Sequence, residues 1–157
     1  MDVDATLACE APADAVYDVV SDLGRYPEWL DIVGAAASAP AAPGESGPAW
    51  TIDLKAQVGP FRRTKRLRMS RVVADAPEAA RFERRELDGR RHSPWVLDVR
   101  IVPTDSIGAS NDEASPSVTL QMHLHYGGGL WLPVLDRLLG DEIERSRPRL
   151  TALLGAP

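Results

Sequence analysis

One cysteine, Cys9, stands alone in the 157 residues, so no internal disulfide is available. At this length none is needed, because a chain of about 150 residues buries roughly two thirds of its unfolded surface. The lone thiol and the length point to one domain over residues 1–157 and to a reducing, cytoplasmic location. No apolar run approaches the ~20 residues of a membrane span, so stable membrane insertion is not expected. The first residues, MDVDATLACEAP, lack a basic segment followed by an apolar core, and no secretory leader is expected. There is no internal repeat. There is no overall excess of positive charge either: the formal net charge of -5 disfavours a general nucleic-acid binder. Gly127-Gly128-Gly129 is not followed by Gly-Lys-Ser/Thr, so it reads as a hinge between strand and helix rather than a phosphate loop.

What is present is mostly alternation. Val3, Ala5, Leu7 and Cys9 share one face of an opening strand, which makes Cys9 an inert core thiol. Pro12 and Asp14 then mark a helix start, and Val16, Val19, Val20 and Leu23 recur at helical spacing. Asp22 caps a second short turn that Pro27 separates from the first helix. A short strand over 31–38 is followed by the Pro-, Gly- and Ala-rich loop APAAPGESGP. From there the period is two: Trp50, Ile52, Leu54 and Ala56 share one face. So do Lys65, Leu67, Met69, Arg71 and Val73; then Phe82, Arg84 and Glu86; then Trp95, Leu97, Val99 and Ile101; and last Val118, Leu120, Met122, Leu124 and Tyr126. Gly59-Pro60, Ala76-Pro77-Glu78 and Asp88-Gly89 supply turns, and the polar stretch 103–117 reads as a mobile connection. From Leu130 to about Leu154 the period returns to 3.6, with Leu132, Leu135, Leu139, Ile143, Leu150 and Leu153 in one stripe. Pro148 is expected to kink or break its last two turns.

A sheet with one apolar face needs a cover, and the last helix is the long one available, so the pattern gives an α+β fold. Ala11-Pro12-Ala13-Asp14-Ala15-Val16-Tyr17-Asp18-Val19-Val20, Asp22-Leu23 and Tyr26-Pro27-Glu28-Trp29, with the long C-terminal helix, resemble the START-like superfamily, also called SRPBCC or helix-grip. The likeness is to bacterial proteins of the polyketide cyclase/dehydratase and lipid transport type. That resemblance implies a helix-grip fold: a curved antiparallel sheet of about seven strands around the C-terminal helix, with two short helices after the first strand. It also implies a cavity for a small hydrophobic molecule of lipid, polyketide or aromatic type; no cofactor or metal is expected.

The inward set is Trp50, Leu54, Leu67, Met69, Phe82, Trp95, Leu97, Leu120, Met122, Tyr126, Leu135 and Leu139. The residues by themselves allow a solid core as well as a pocket; the resemblance favours the pocket, and two methionines suit an adaptable wall. Tyr26 and Trp29 either cap one end of that cavity or staple the broken helix to the core. Arg71, Arg84 and Glu86 fall on inward positions, where an isolated charge is costly. They either orient a polar end of the ligand or lie at strand ends in solvent. An enzyme on this scaffold, a cyclase or dehydratase, would draw its acid or base from Arg84, Glu86, His92, Tyr126 or Glu142. His123 and His125 alternate with inward residues and read as a solvated outer face rather than a metal site. Residues 60–102 carry 12 of the 18 lysines and arginines against 6 acids, centred on Arg62-Arg63-Thr64-Lys65-Arg66-Leu67-Arg68. This reads first as a solvated strand face, paired across the sheet with Glu83, Glu86 and Asp98, and alternatively as a surface that meets an acidic protein or a membrane. A homodimer is compatible with all of these readings.

Overall fold

The computed structural model describes residues 1–104, 117–128 and 132–155, with backbone alone for Val58 and residues 132–138. Seven strands form one antiparallel sheet: β1 (Asp2–Cys9), β2 (Val33–Ala39), β3 (Ala49–Val58), β4 (Phe61–Asp75), β5 (Ala79–Arg84), β6 (Trp95–Pro103) and β7 (Val118–Tyr126). Their order across the sheet is β1-β7-β6-β5-β4-β3-β2, so β2 through β7 form a meander and β1 joins its far edge. Helix α1 (Ala13–Val20) and a 3-10 helix (Leu23–Glu28) follow β1, and helix α2 (Leu132–Gly155) ends the fold. This is the helix-grip architecture expected from the sequence. No helix among the described residues is long and apolar enough to cross a membrane.

Local sequence explains the joints. Pro12 has extended backbone and precedes α1, where its missing N–H costs nothing, and Val16, Tyr17, Val19 and Val20 form the buried face. The Asp22 carboxylate accepts the Gly24 N–H at 2.8 Å and starts the 3-10 helix, which contains Pro27. The pairing of β4 with β5 shifts between Arg71 and Val73, an irregularity that bends the sheet around its concave face. Gly59, at φ +58, makes the tight β3–β4 turn between Val58 and Phe61. The expected break at Pro148 does not occur, because α2 runs on to Gly155. Pro148 and Glu144, whose carbonyl the proline leaves without its helical donor, are both exposed. The polar stretch 103–117 lies mostly outside the described residues, as does the helical start from Leu130.

The convex face departs from the simple alternation at Ala49, Arg68 and Ser70, which are all buried. Arg68, expected on a solvated face, is buried beneath the loop between β2 and β3. Its guanidinium donates to Glu45 at 2.7 and 2.8 Å, to the Pro40 carbonyl at 2.8 Å and to the Arg85 carbonyl at 3.0 Å. The loop is fitted closely there: a Cβ on Gly47 would collide with the Arg71 carbonyl. The guanidinium holds the Glu45 carboxyl down at about 2. Its folded value lies below the ordinary ~4.3, so the stabilisation is complete above that value and is lost as pH falls toward the folded one. Glu45→Ala is expected to cost about 2 kcal/mol, below the range for deeply buried pairs because only one loop covers it. Urea midpoints at pH 7 check this, and the difference from wild type should shrink on approaching pH 2.

The other surface cations pair in part as expected. Arg81 meets Glu83 and Asp98, each at 3.1 Å, and Arg66 meets Asp53 at 2.7 Å across β3–β4. His123 and His125 are on the exposed face of β7 opposite β1, with His123 Nδ1 2.7 Å from Asp4 and His125 Nδ1 2.8 Å from Asp2. The Asp4 carboxylate raises the His123 pKa above its ordinary value.

Candidate ligand-binding site

Between the concave face and α2 lies a cavity of about 150 Å³. Each strand wall follows from alternation: Ala5 and Leu7 of β1, Leu120, Met122 and Leu124 of β7, Trp95 and Leu97 of β6, Leu67 and Met69 of β4, and Ile52 and Leu54 of β3. Leu139, Ile143 and Leu150 close it from α2, and Glu142, Ser146 and Arg147 lie on the same helical stripe. The third wall comes from the segment around the 3-10 helix: Leu23, Tyr26, Trp29, Leu30 and Ile32.

Tyr26 and Trp29 therefore do two things. The Tyr26 hydroxyl donates to the Val20 carbonyl at 2.8 Å, which ties the 3-10 helix to the end of α1. Its ring packs on Trp29 at 4.9 Å, and both rings reach the cavity wall. Burial and the nearby Asp22 charge raise the phenol far above its ordinary range, so Tyr26 is a neutral positioning group. The Trp29 and Trp95 indole N–H groups are different. Both residues line the cavity, at 3 % and 7 % exposure, and neither Nε1 has a hydrogen-bond partner among the described residues.

Glu142 is a buried carboxylate on the cavity wall. It accepts the Ile32 N–H at 3.2 Å and pairs with Arg145 at 3.1 Å. With the Arg149–Asp31 pair, it joins α2 to the segment that leads into β2. The Ser146 hydroxyl is spent on the Ile143 carbonyl at 2.7 Å.

Of the residues singled out from the sequence, Tyr26, Trp29, Leu54, Leu67, Met69, Trp95, Leu97, Leu120, Met122 and Leu139 come together on this wall. Trp50, Phe82 and Tyr126 are inward and buried but not among its lining residues. Trp50 and Phe82 pack edge to face at 5.8 Å, and Tyr126 stacks on Trp95 at 4.8 Å. The Leu135 side chain lies outside the described residues. Arg71 donates to the Ser21 carbonyl at 2.9 Å, at the carboxyl end of α1, where a cation suits the helix dipole. Arg84 and Glu86 pair at 2.9 Å at the end of β5. Glu86 also accepts the Arg68 N–H, and Arg84 reaches the Ser93 carbonyl at 3.3 Å. His92 sits between Arg84 and Asp88, 3.3 and 2.8 Å away. None of Arg71, Arg84 and Glu86 is among the cavity-lining residues. Cys9 is buried, and burial raises its thiol pKa.

The alternation and helical stripe contained the signal for most of the rest of the wall. Glu142 and Ser146 fall three and seven positions after Leu139, and Leu150 four after Ser146. Leu30 had no such signal, since it follows an irregular segment, and Ile32, within the expected strand 31–38, precedes the observed start of β2 at Val33.

Residues 9–146 match the family described as polyketide cyclase/dehydrase and lipid transport. No curated protein matches the chain. Among solved structures, a START superfamily protein from Mycobacterium smegmatis superposes with a TM-score of 0.68 at 17% identity, covering 98% of this chain and 96% of that one. A protein from Thermus thermophilus gives 0.71 at 14% identity, covering 98% and 97%. The di-domain ARO/CYC StfQ from the steffimycin biosynthetic pathway gives 0.60 at 14% identity; 98% of this chain covers 50% of that one. At such identities the likeness establishes the fold.

Proposed function

Because the chain belongs to the polyketide cyclase/dehydrase and lipid transport family, we propose that it binds or carries a small hydrophobic molecule in the cavity between sheet and α2. The observation that carries this reading is an apolar cavity between sheet and α2 on whose wall lie Trp29 and Trp95, with buried indole N–H groups that have no acceptor among the described residues. A cavity of about 150 Å³ is the size at which an apolar protein interior accepts a benzene-sized guest. An unsatisfied buried donor costs about 1–3 kcal/mol, which a ligand oxygen would recover. The preferred occupant is therefore a ring-sized apolar group with a ketone, ester or phenol oxygen, and Met69 and Met122 can adjust to a larger one. The protein works in the cytoplasm on this reading.

Nitrogen–proton correlation spectra test it, since the four tryptophans give four indole signals. Acetophenone should move two of them, assigned by Trp29→Phe and Trp95→Phe, and should bind about 2–10-fold tighter than ethylbenzene, which has no acceptor. Each variant should narrow that preference. If no indole signal moves with either guest, the reading fails.

A second reading, an enzyme of the cyclase or dehydratase type, is favoured by Glu142, a carboxylate placed on the cavity wall. There it would move a proton to or from a bound carbonyl compound. Glu142→Gln keeps an acceptor for the Ile32 N–H, so this reading predicts lost turnover with binding retained.

A further inference from the structure

One end of the sheet carries a surface that the cavity does not explain. Val58 pairs with Phe61 across the β3–β4 turn, and Met69 of β4 pairs with Arg84 near the end of β5. The turn and the β5–β6 connection, residues 85–94, therefore point toward the same end of the sheet, the turn reaching eight β4 positions beyond the Arg84 pairing. Each presents one large apolar side chain to solvent: Phe61 is 68% exposed and Leu87 64%. The same two segments carry Arg62, Arg63, Arg66, Arg85, Arg90 and Arg91, all exposed, with Arg66 paired to Asp53 and Arg85 to Glu83. Residues 58–66 and 85–94 together hold seven basic side chains and two acidic ones, in a chain whose net charge is -5. Both acids are engaged locally, Glu86 with Arg84 and Asp88 with His92.

We propose that this end docks on an anionic lipid bilayer, with Phe61 and Leu87 entering the interfacial layer and the surrounding arginines meeting lipid phosphates. Two separate apolar tips are too little surface for a stable protein interface, which buries about 1,200–2,000 Å². They suit a bilayer, where single apolar side chains insert and cations add electrostatic attraction to anionic headgroups. The negative remainder of the molecule orients it, since the basic end alone is attracted to such a surface. This docking is independent of what the cavity holds.

Co-sedimentation with vesicles tests the proposal. Wild type should bind phosphatidylcholine vesicles containing phosphatidylglycerol, not pure phosphatidylcholine, and high salt should release it. Arg90→Glu with Arg91→Glu should lower partitioning by at least about fivefold for each charge. Phe61→Ser with Leu87→Ser should lower it too, while a urea midpoint close to that of wild type reports an intact fold. No binding to the anionic vesicles overturns the proposal. So does binding that survives loss of Phe61 and Leu87, or full competition by soluble polyglutamate, which would indicate an acidic protein partner.

Discussion

Phe82→Ala is expected to destabilise the protein by about 3–5 kcal/mol, the usual cost of truncating a fully buried phenylalanine. Phe82 is 0% exposed and packs edge to face on Trp50, between the register partners Arg71 and Leu97. At this chain length the loss corresponds to a melting temperature lower by about 10 °C. Because Phe82 is not among the cavity-lining residues, acetophenone affinity measured well below the melting transition should stay within about threefold of wild type. A thermal melt and one titration check both halves. A stable variant with lost binding would place Phe82 on the ligand, against the packing described.

Met122→Trp is expected to act the opposite way, lowering affinity for ring-sized guests by at least about tenfold, or ~1.4 kcal/mol. Met122 is half-buried on the β7 wall, opposite Ala5 of β1 and Val99 of β6. An indole there takes up much of a cavity of about 150 Å³, and overpacking typically costs about 1–3 kcal/mol of stability. Calorimetric titration with acetophenone measures the first effect and urea denaturation the second. Unchanged affinity in a folded variant would move the binding site away from this wall.

Much of the architecture was legible because strand alternation and the helical stripe are local signals. Leu67, Met69, Leu97, Leu120 and Met122 face the cavity because each alternates inward on a strand that the sheet pairing keeps in register. Period two does not say which half of a concave face is filled. Trp50 and Phe82 are inward yet lie in the packed core, Phe82 beside its register partner Arg71, which reaches the carboxyl end of α1. Arg71 likewise points inward but reaches Ser21, a partner 50 positions away that no spacing rule names. Arg68 is the mirror case: its alternation is outward, and a distant loop with Glu45 buries it. Glu142 was legible as a candidate acid and its helical position followed from the stripe, whereas its bond to the Ile32 N–H required the tertiary contact between α2 and the segment before β2.

The central claim, that the space between sheet and helix holds a small hydrophobic molecule, is tested most directly by native mass spectrometry. Wild type and Met122→Trp would be purified side by side under gentle conditions and offered acetophenone. The wild-type chain is expected to carry a reproducible small-molecule adduct, and Met122→Trp to lose it while remaining folded. A bare wild-type mass under all loading conditions, or an equal adduct on both chains, would contradict the claim.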